Sequence, residues 1–253
     1  MTRAASRALR KALPALVLVV VSTALSACGA SPTPLGPEGI DELVIPTPSP
    51  APADFGGGAT NPWFPLTPGT RWTYRQYTPG GNRIVVATVL RAPRPVDGIS
   101  TTAVRWRMRS QGRENTSLVR WYAVDRAGNV WWFGQRVGVG GPSLDRLATH
   151  SWLAGRHGAE AGLVLTHTPR DGDGYANARQ PQVVARRSTV ISLLGTASTT
   201  RRTYRHCVIT RDLSSLAPLH AVQSFYARGF GLVVQEDTTS TSTYLDLLHL
   251  HRG

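Results

Sequence analysis

Short runs of alternating apolar and polar residues constrain the fold of this chain more than any other sequence feature. From Asn61 to Gly253 these runs are separated by glycine, proline, asparagine and aspartate, and no long stretch has a helical period. A period of two is typical of strands with one face in a core. The pattern predicts strands at residues 70–77, 83–91, 101–109, 117–124, 130–134, 163–168, 183–194, 197–210, 221–227, 231–236 and 240–249.

The connections between these strands indicate the kind of sheet. Most are short, and residues 79–82 and 125–129 supply types that tolerate positive φ, so neighbouring strands should be antiparallel. The strand pattern weakens only after residue 141, where residues 144–152 could form a short helix. A sheet this large must curl or close to remove its edges. We predict an all-β fold with a strongly curved, mostly antiparallel sheet, a half-barrel or barrel, with a sandwich as second choice and at most one or two short helices.

The N-terminus is typical of a lipoprotein export signal. Four basic residues precede an apolar stretch at residues 12–25, which is too short to cross a bilayer as a helix. It runs into Leu25-Ser26-Ala27-Cys28, the pattern of an aliphatic residue, two small residues and cysteine at which bacterial lipoproteins are cut and acylated. We expect residues 1–27 to be removed. Acyl chains on Cys28 would then hold the protein on the extracytoplasmic face of the bacterial membrane.

The segment after Cys28 has a composition unlike the rest of the chain. Residues 29–60 contain seven prolines and a run of three glycines, with few large apolar side chains. Such a segment cannot bury enough apolar surface to form a core. We therefore predict a lipidated, disordered tether at residues 28–60 and a single β-domain at residues 61–253.

The positive charge belongs to the β-domain. The leader holds four of the 28 basic residues, and the other 24 lie in residues 61–253 beside 11 acidic ones, a net charge of +13. An exported protein rarely meets nucleic acid, so we expect anionic lipid or an anionic envelope polymer as its partner. The sequence does not specify an oligomeric state.

Three arginines alternate with apolar residues on one predicted strand. In Arg105-Trp106-Arg107-Met108-Arg109 a period of two places the arginines on one face and Trp106 and Met108 on the other. This arginine row is either a solvated face, which is the commoner case, or a candidate anion-binding site. The chain has one further cysteine besides Cys28, and we predict that Cys207 is a buried apolar residue of a strand, since it has no partner for a disulfide.

Other motifs favour structural interpretations. Residues 171–177 resemble the start of a calcium loop, but Ala176 and Gln182 stand where such a loop needs glycine and glutamate, so an Asp-Gly turn is the better interpretation. His249 and His251 share a strand face without a third ligand, and residues 134–141 lack the ending of a phosphate-binding loop. We predict no metal site and no cofactor.

The seven tryptophans have two possible uses. Exposed rings would suit a sugar-binding platform, whereas burial in the core is the more frequent fate of tryptophan in a domain of this size. Trp121 and Trp131 fall on a predicted hairpin, where they could stack across the strands. Because Trp131 and Trp132 face opposite sides of a strand, one of them is expected outside the core.

Two segments resemble a family of uncharacterised exported bacterial proteins, many of them lipoproteins. These are residues 61–74, NPWFPLTPGTRWTY, and residues 121–134, WYAVDRAGNVWWFG. Weaker similarities extend over nearly the whole β-domain, with Arg228-Gly229 standing where the resemblance would place Pro-Gly. The resemblance implies an exported β-domain and transfers no functional residue.

The sequence contains no recognisable catalytic motif, so we predict a non-catalytic domain. Our first hypothesis is a membrane-anchored lipoprotein that binds an envelope component, or an amphiphilic or anionic ligand, in the concavity of its sheet. The alternatives are an envelope hydrolase with an unrecognised site and a structural or protein-interaction module. A deep apolar cavity would favour the first, a cleft with clustered histidine and carboxylates the second, and a filled barrel with an exposed apolar patch the third.

Overall fold

Strands make up more than half of the described residues, and many of them alternate between more buried and more exposed side chains. The computed structural model describes residues 50–110, 113–138, 144–239 and 244–253, all within one compact unit, Pro37–Gly253, called the barrel unit here. Within these residues there are one 3-10 turn at Pro52–Asp54 and fourteen strands: β1 (Arg71–Tyr77), β2 (Arg83–Val89), β3 (Arg94–Val96), β4 (Ile99–Ser110), β5 (Arg113–Val124), β6 (Val130–Val137), β7 (Trp152–Leu153), β8 (Glu160–Leu165), β9 (Gly174–Gln180), β10 (Val184–Ser198), β11 (Thr203–Ser214), β12 (Ala221–Ala227), β13 (Gly231–Asp237) and β14 (Tyr244–His251).

Twelve of these strands close into an antiparallel barrel. Their order around it is β1, β14, β13, β12, β11, β10, β9, β8, β6, β5, β4 and β2, and β2 pairs again with β1. The two remaining strands are appended, β3 to β4 and β7 to β6. The barrel prediction is confirmed and the sandwich is not formed, because the β2–β4 pairing joins the two ends of the sheet. The barrel unit contains its whole core, which is what an independently folding unit requires.

Side chains of β1 show how the alternation builds the interior, which we call the lumen. Trp72, Tyr74 and Gln76 line the lumen and are at most 5% exposed. The residues that alternate with these three are less buried: Arg71 is exposed, and Thr73 and Arg75 are partly buried. On the neighbouring strand the buried residues opposite Tyr74 and Trp72 are Val85 and Ala87.

The segment before β1 covers one end of the barrel. The buried Asn61 donates through Nδ2 to the carbonyl oxygens of Gly128 and Thr166, at 2.8 and 3.1 Å, and so ties this segment to two turns between strands. Its Oδ1 accepts the backbone N–H of Phe64 at 3.1 Å. The Phe64 ring then lies 5.0 Å from the ring of Tyr122, so an aromatic side chain closes this end of the lumen.

Phe55 extends the packed chain beyond the predicted domain boundary. Its ring belongs to the hydrophobic core and lies 6.3 Å from Trp131 and 5.5 Å from Phe133, so packing begins before Asn61. Trp131 and Phe133 are on the outer wall, because Trp132 between them lines the lumen. Both Trp131 and Trp132 are therefore buried, and the expectation that one lies outside the core is wrong. Trp131 pairs with Ala123, so it does not stack on Trp121 either.

The end of the β10–β11 hairpin folds against the outer wall. Asp246 of β14 alternates with the lumen residue Leu245, and yet its side chain is fully buried. The reason is that Thr200, at the tip of the hairpin, donates its N–H and its hydroxyl to Asp246 at 2.7 and 2.6 Å. Cys207 of β11 is fully buried, as predicted.

Two local predictions are wrong. Residues 144–152 do not form a helix; they make turns and the short strand β7, and this connection carries Asp145 into the lumen. The polar strand β9 was not predicted, nor were the short strands β3 and β7. In the part of the chain that the structure describes, no helix is long and apolar enough to cross a lipid bilayer.

Candidate functional site

A cavity of about 120 Å³ lies in the lumen. Internal cavities of about 150 Å³ are known to hold a benzene molecule, whereas pockets for drug-sized ligands run from about 300 Å³ upward. The cavity therefore has room for a small molecule or a short apolar chain. Its lining is amphiphilic, with an apolar part formed mainly by Trp72, Tyr74, Val85, Val104, Trp106 and Leu232, and a polar part formed mainly by Gln76, Arg120, Asn177, Arg186, Ser188 and Asp212.

The aromatic side chains of the apolar part are held in place by hydrogen bonds at their polar ends. Trp72 donates its indole N–H to the carbonyl oxygen of Phe230 at 2.7 Å, and Tyr74 donates its hydroxyl to that of Leu232 at 3.0 Å. The Trp106 ring stacks on Tyr74 with 5.7 Å between centroids and 14° between planes. These rings form a fixed apolar wall, because each is anchored by a neighbour.

Two buried polar atoms of the lining have no partner among the described residues. They are the indole nitrogen of Trp106 and the side-chain oxygen of Gln76. Buried polar groups are nearly always hydrogen-bonded, and leaving one without a partner costs about 1–3 kcal/mol. Both residues line the cavity, which makes these two atoms the candidate hydrogen-bond partners of a bound molecule or an ordered water.

An ion-pair network forms the polar part. Asp145 contacts the guanidinium groups of Arg120 and Arg186, the latter at 2.6 Å, and Arg186 also contacts Asp212 at 3.0 Å. None of these four side chains is more than 13% exposed. Arg120 donates further to the side-chain oxygen of Gln135 at 3.2 Å.

Asp212 is the most heavily hydrogen-bonded member of the network. It accepts the hydroxyls of Ser188, Thr210 and Ser224 at 2.5, 3.0 and 2.8 Å in addition to the guanidinium of Arg186. These donors satisfy its oxygens in a place with almost no water, which is what a buried charge requires. Asp212 is therefore a built-in anchor for Arg186.

The network also fixes protonation states. Burial opposes ionisation of Asp145, but Arg186 and Arg120 outweigh it and hold the pKa of this carboxyl below its ordinary value. Burial alone would lower the pKa of Arg186. The carboxylates of Asp145 and Asp212 outweigh this effect and raise the pKa of Arg186 above its ordinary value. Burial raises the pKa of Tyr122 and Tyr226 in the same region. Asp145 and Arg186 are thus stably charged, and Tyr122 and Tyr226 are neutral, at physiological pH.

Further charged and titratable groups lie near the polar part. Arg146 lies 3.9 Å from Asp237, and the ring nitrogen Nδ1 of His220 lies 3.5 Å from the same carboxylate. The β11–β12 connection beside His220 exposes Leu216 and, to 82%, Leu219.

The arginine row lies on the outer wall and not in the lumen. Trp106 lines the cavity and Met108 is buried, so Arg105, Arg107 and Arg109 face outward, with Arg109 exposed and the other two partly buried. The row and the lumen cavity are thus on opposite faces of β4. Whether the row binds an anion stays a prediction.

The remaining predicted positions lie elsewhere. Cys28 is outside the described residues. Asp171 and Gly172 form a turn, and no group of three or more metal-ligating side chains occurs in the described ranges. Both His249 and His251 are exposed. None of the tryptophans is exposed: five are buried and the other two, Trp63 and Trp106, are partly buried.

Sequence reasoning missed the network and the unpaired acceptor of Gln76. Arg186 and Asp212 are each next to another charged or polar residue, and such pairs are typical of a solvated strand. The available signal was phase, because Arg186 falls at the same alternate positions as Val184 and Val190, and Asp212 at the same alternate positions as Val208. Charges at inward positions of a barrel strand indicate a polar lumen.

The comparisons with known proteins give two similar structures. No protein-family model matches this chain, and the search of curated proteins finds no match. One solved structure, a Bacteroides fragilis protein described as an exported protein with a YmcC-like fold, has 12% identity and a TM-score of 0.41 over 75% of this chain and 99% of its own. Another, a Parabacteroides distasonis protein described as a lipoprotein, has 13% identity and a TM-score of 0.43 over 76% and 99%. Membership in the family that the two segments resemble stays a prediction.

Proposed function

We propose that this protein is a non-catalytic, lipid-anchored lipoprotein whose barrel binds a small amphiphile in its lumen. Acyl chains on Cys28 would hold it on the extracytoplasmic face of the membrane, with the barrel at the end of a tether. The amphiphile would come from the cell envelope, and the arginine row would meet anionic lipid or envelope polymer from outside.

The observation that carries this proposal is the amphiphilic cavity with its two unpaired polar atoms. A filled barrel would serve an interaction module, whereas this one keeps about 120 Å³ free beside stacked aromatic rings. A ligand hydroxyl can accept a hydrogen bond from the N–H of Trp106 or donate one to Gln76, while its chain packs on the apolar wall. Asp145 and Asp212 are ion-paired with arginines, which makes them poor groups for proton transfer and argues against a hydrolase.

Titration with 1-hexanol tests the proposal, because this probe combines a short chain with a hydroxyl. We expect saturable quenching or enhancement of tryptophan fluorescence when hexanol is added to the barrel unit. Trp106→Phe keeps the ring against Tyr74 but removes the donor, and should weaken binding about three- to tenfold, the value of one neutral hydrogen bond.

A matched control separates the lumen from the outer wall. Trp121 is buried on the outer face of β5, where Arg94 lies over its ring at 4.5 Å. Trp121→Phe should leave hexanol affinity unchanged. No saturable binding, or equal losses in the two variants, would rule out binding at the lumen site.

A further inference from the structure

We propose that Asp145 occupies the place of a ligand's acidic head group, so that the natural ligand is a small amphiphile ending in one carboxylate or phosphate. This rests on the proposed function, since it names the chemical class that the same lumen would take. Three observations support it: the charges that the barrel strands bring to the network, the position of Asp145 in the chain, and the apolar lining of the cavity that Asp145 shares.

The barrel strands supply the ion-pair network with two cations and one anion, while Asp237, the other strand acid of the lining, contacts Arg146 and His220 instead. Arg120 on β5 and Arg186 on β10 belong to barrel strands, and so does Asp212 on β11, which leaves one cation uncompensated. Asp145 supplies the missing anion from the connection between β6 and β7. Among the described residues Arg120 contacts no other carboxylate.

A buried cation needs a counter-ion more than an exposed one does. The side chain of Arg120 is only 13% exposed, and leaving such a charge unpaired is strongly unfavourable. Two guanidinium groups that converge on one carboxylate form a site that carboxylate and phosphate oxygens both fit. If Asp145 leaves the site, the two guanidinium groups therefore still need an anion as counter-ion.

Withdrawal of the Asp145 side chain would break no pairing between barrel strands. Asp145 is not on a strand, and among the described residues its Oδ1 accepts only the nearby N–H of Leu147, at 2.9 Å. Leu144 also lines the cavity, so moving both side chains would enlarge it. The apolar wall of Tyr74 and Trp106 lines the same cavity, so a tail site and the head-group site belong to one cavity.

Replacement of Asp145 tests the proposal, because an added anion should then take the place of the lost carboxylate and restore stability, an effect we call the rescue. In Asp145→Ala of the barrel unit, sodium hexanoate should raise the melting temperature saturably and bind at least tenfold more tightly than it binds the unmodified unit. Affinity should rise about fourfold per methylene from butyrate to hexanoate, because each buried methylene contributes about 0.8 kcal/mol. Comparison of hexanoate with hexyl phosphate then identifies the preferred head group.

Three variants keep the outcome interpretable. Adding Arg120→Gln to Asp145→Ala should abolish the rescue, and Glu160→Ala, which removes an exposed acid paired with Arg179, should bind hexanoate no more tightly than the unmodified unit does. If Asp145→Ala does not fold, Asp145→Ser provides the same test, since its hydroxyl can still accept from Leu147.

The possible results separate the two proposals. No stabilisation by any of the anions, or equal stabilisation by acetate and hexanoate, overturns the acidic amphiphile. Hexanol binding to the unmodified unit would in that case still support the lumen site. Loss of hexanol binding together with loss of the rescue overturns both.

Discussion

Breaking the contact between Arg120 and Asp145 should cost more stability when the aspartate is replaced than when the arginine is replaced. In Asp145→Asn, Arg186 keeps Asp212, but Arg120 loses the carboxylate that compensates it. Both side chains of the broken pair are less than one-seventh exposed, so solvent screening is weak and the cost should be about 3 kcal/mol or more. In Arg120→Met, Asp145 keeps Arg186, so the cost should be smaller, about 1–2 kcal/mol.

The double variant tests whether the unpaired charge of Arg120 causes the loss of stability. Asp145→Asn combined with Arg120→Met removes both charges, leaves Arg186 paired with Asp212, and should be more stable than Asp145→Asn alone. The assay is urea unfolding of the barrel unit, followed by tryptophan fluorescence and circular dichroism. For a domain of this size 3 kcal/mol corresponds to about 6–12 °C in melting temperature. Additivity of the two changes within about 0.5 kcal/mol would refute the account of the network.

The pH dependence of the same variants provides an independent check. The folded-state pKa of Asp145 is lowered despite its burial, because Arg186 and Arg120 favour the carboxylate. Its contribution to stability is therefore complete above the unfolded pKa of about 3.9 and is lost as the pH falls through the lower folded-state value. The stability difference between unmodified protein and Asp145→Asn should be full at neutral pH and shrink below about pH 4. A difference that grows on acidification would contradict this.

Three further predictions concern the ends and the outer wall. Cys28→Ala should prevent incorporation of labelled fatty acid and stable membrane attachment, whereas Cys207→Ala should retain both; label in the Cys28 variant would disprove the anchor. Phe55→Ala should destabilise the barrel unit by about 3 kcal/mol in urea unfolding, and an effect below about 0.5 kcal/mol would place Phe55 outside the folded core. Replacing the arginine row with glutamine should weaken binding to anionic vesicles about a hundredfold at low salt and much less at high salt; binding that does not change would identify the row as a solvated face.

The fold was largely predictable because it depends on local alternation. Strand β12 has the predicted bounds, and several others differ by a few residues at their ends. Strand β9 was missed because its sequence is polar: Asn177 faces a polar stretch of the lumen, where its amide is buried and hydrogen-bonded to the carbonyl of Leu163. Alternation detects a strand only where the core is apolar.

The candidate site was not predictable in the same way. Arg120, Asp145, Arg186 and Asp212 are far apart in the chain, and closure of the barrel brings them together. Asp145 lies in a stretch for which a helix was predicted, since nothing local shows that this connection turns into the lumen. The arginine row had a clear local pattern, and the structure places it on the outer wall, away from the cavity.

The most direct test of the account is the location of bound hexanol by NMR. Intermolecular nuclear Overhauser effects should join the hexanol methylene protons to ring protons of Trp72, Tyr74 and Trp106 in the lumen. Contacts only to exposed side chains such as Leu219, with none to the three aromatic rings, would contradict the proposal that this barrel binds an amphiphile inside.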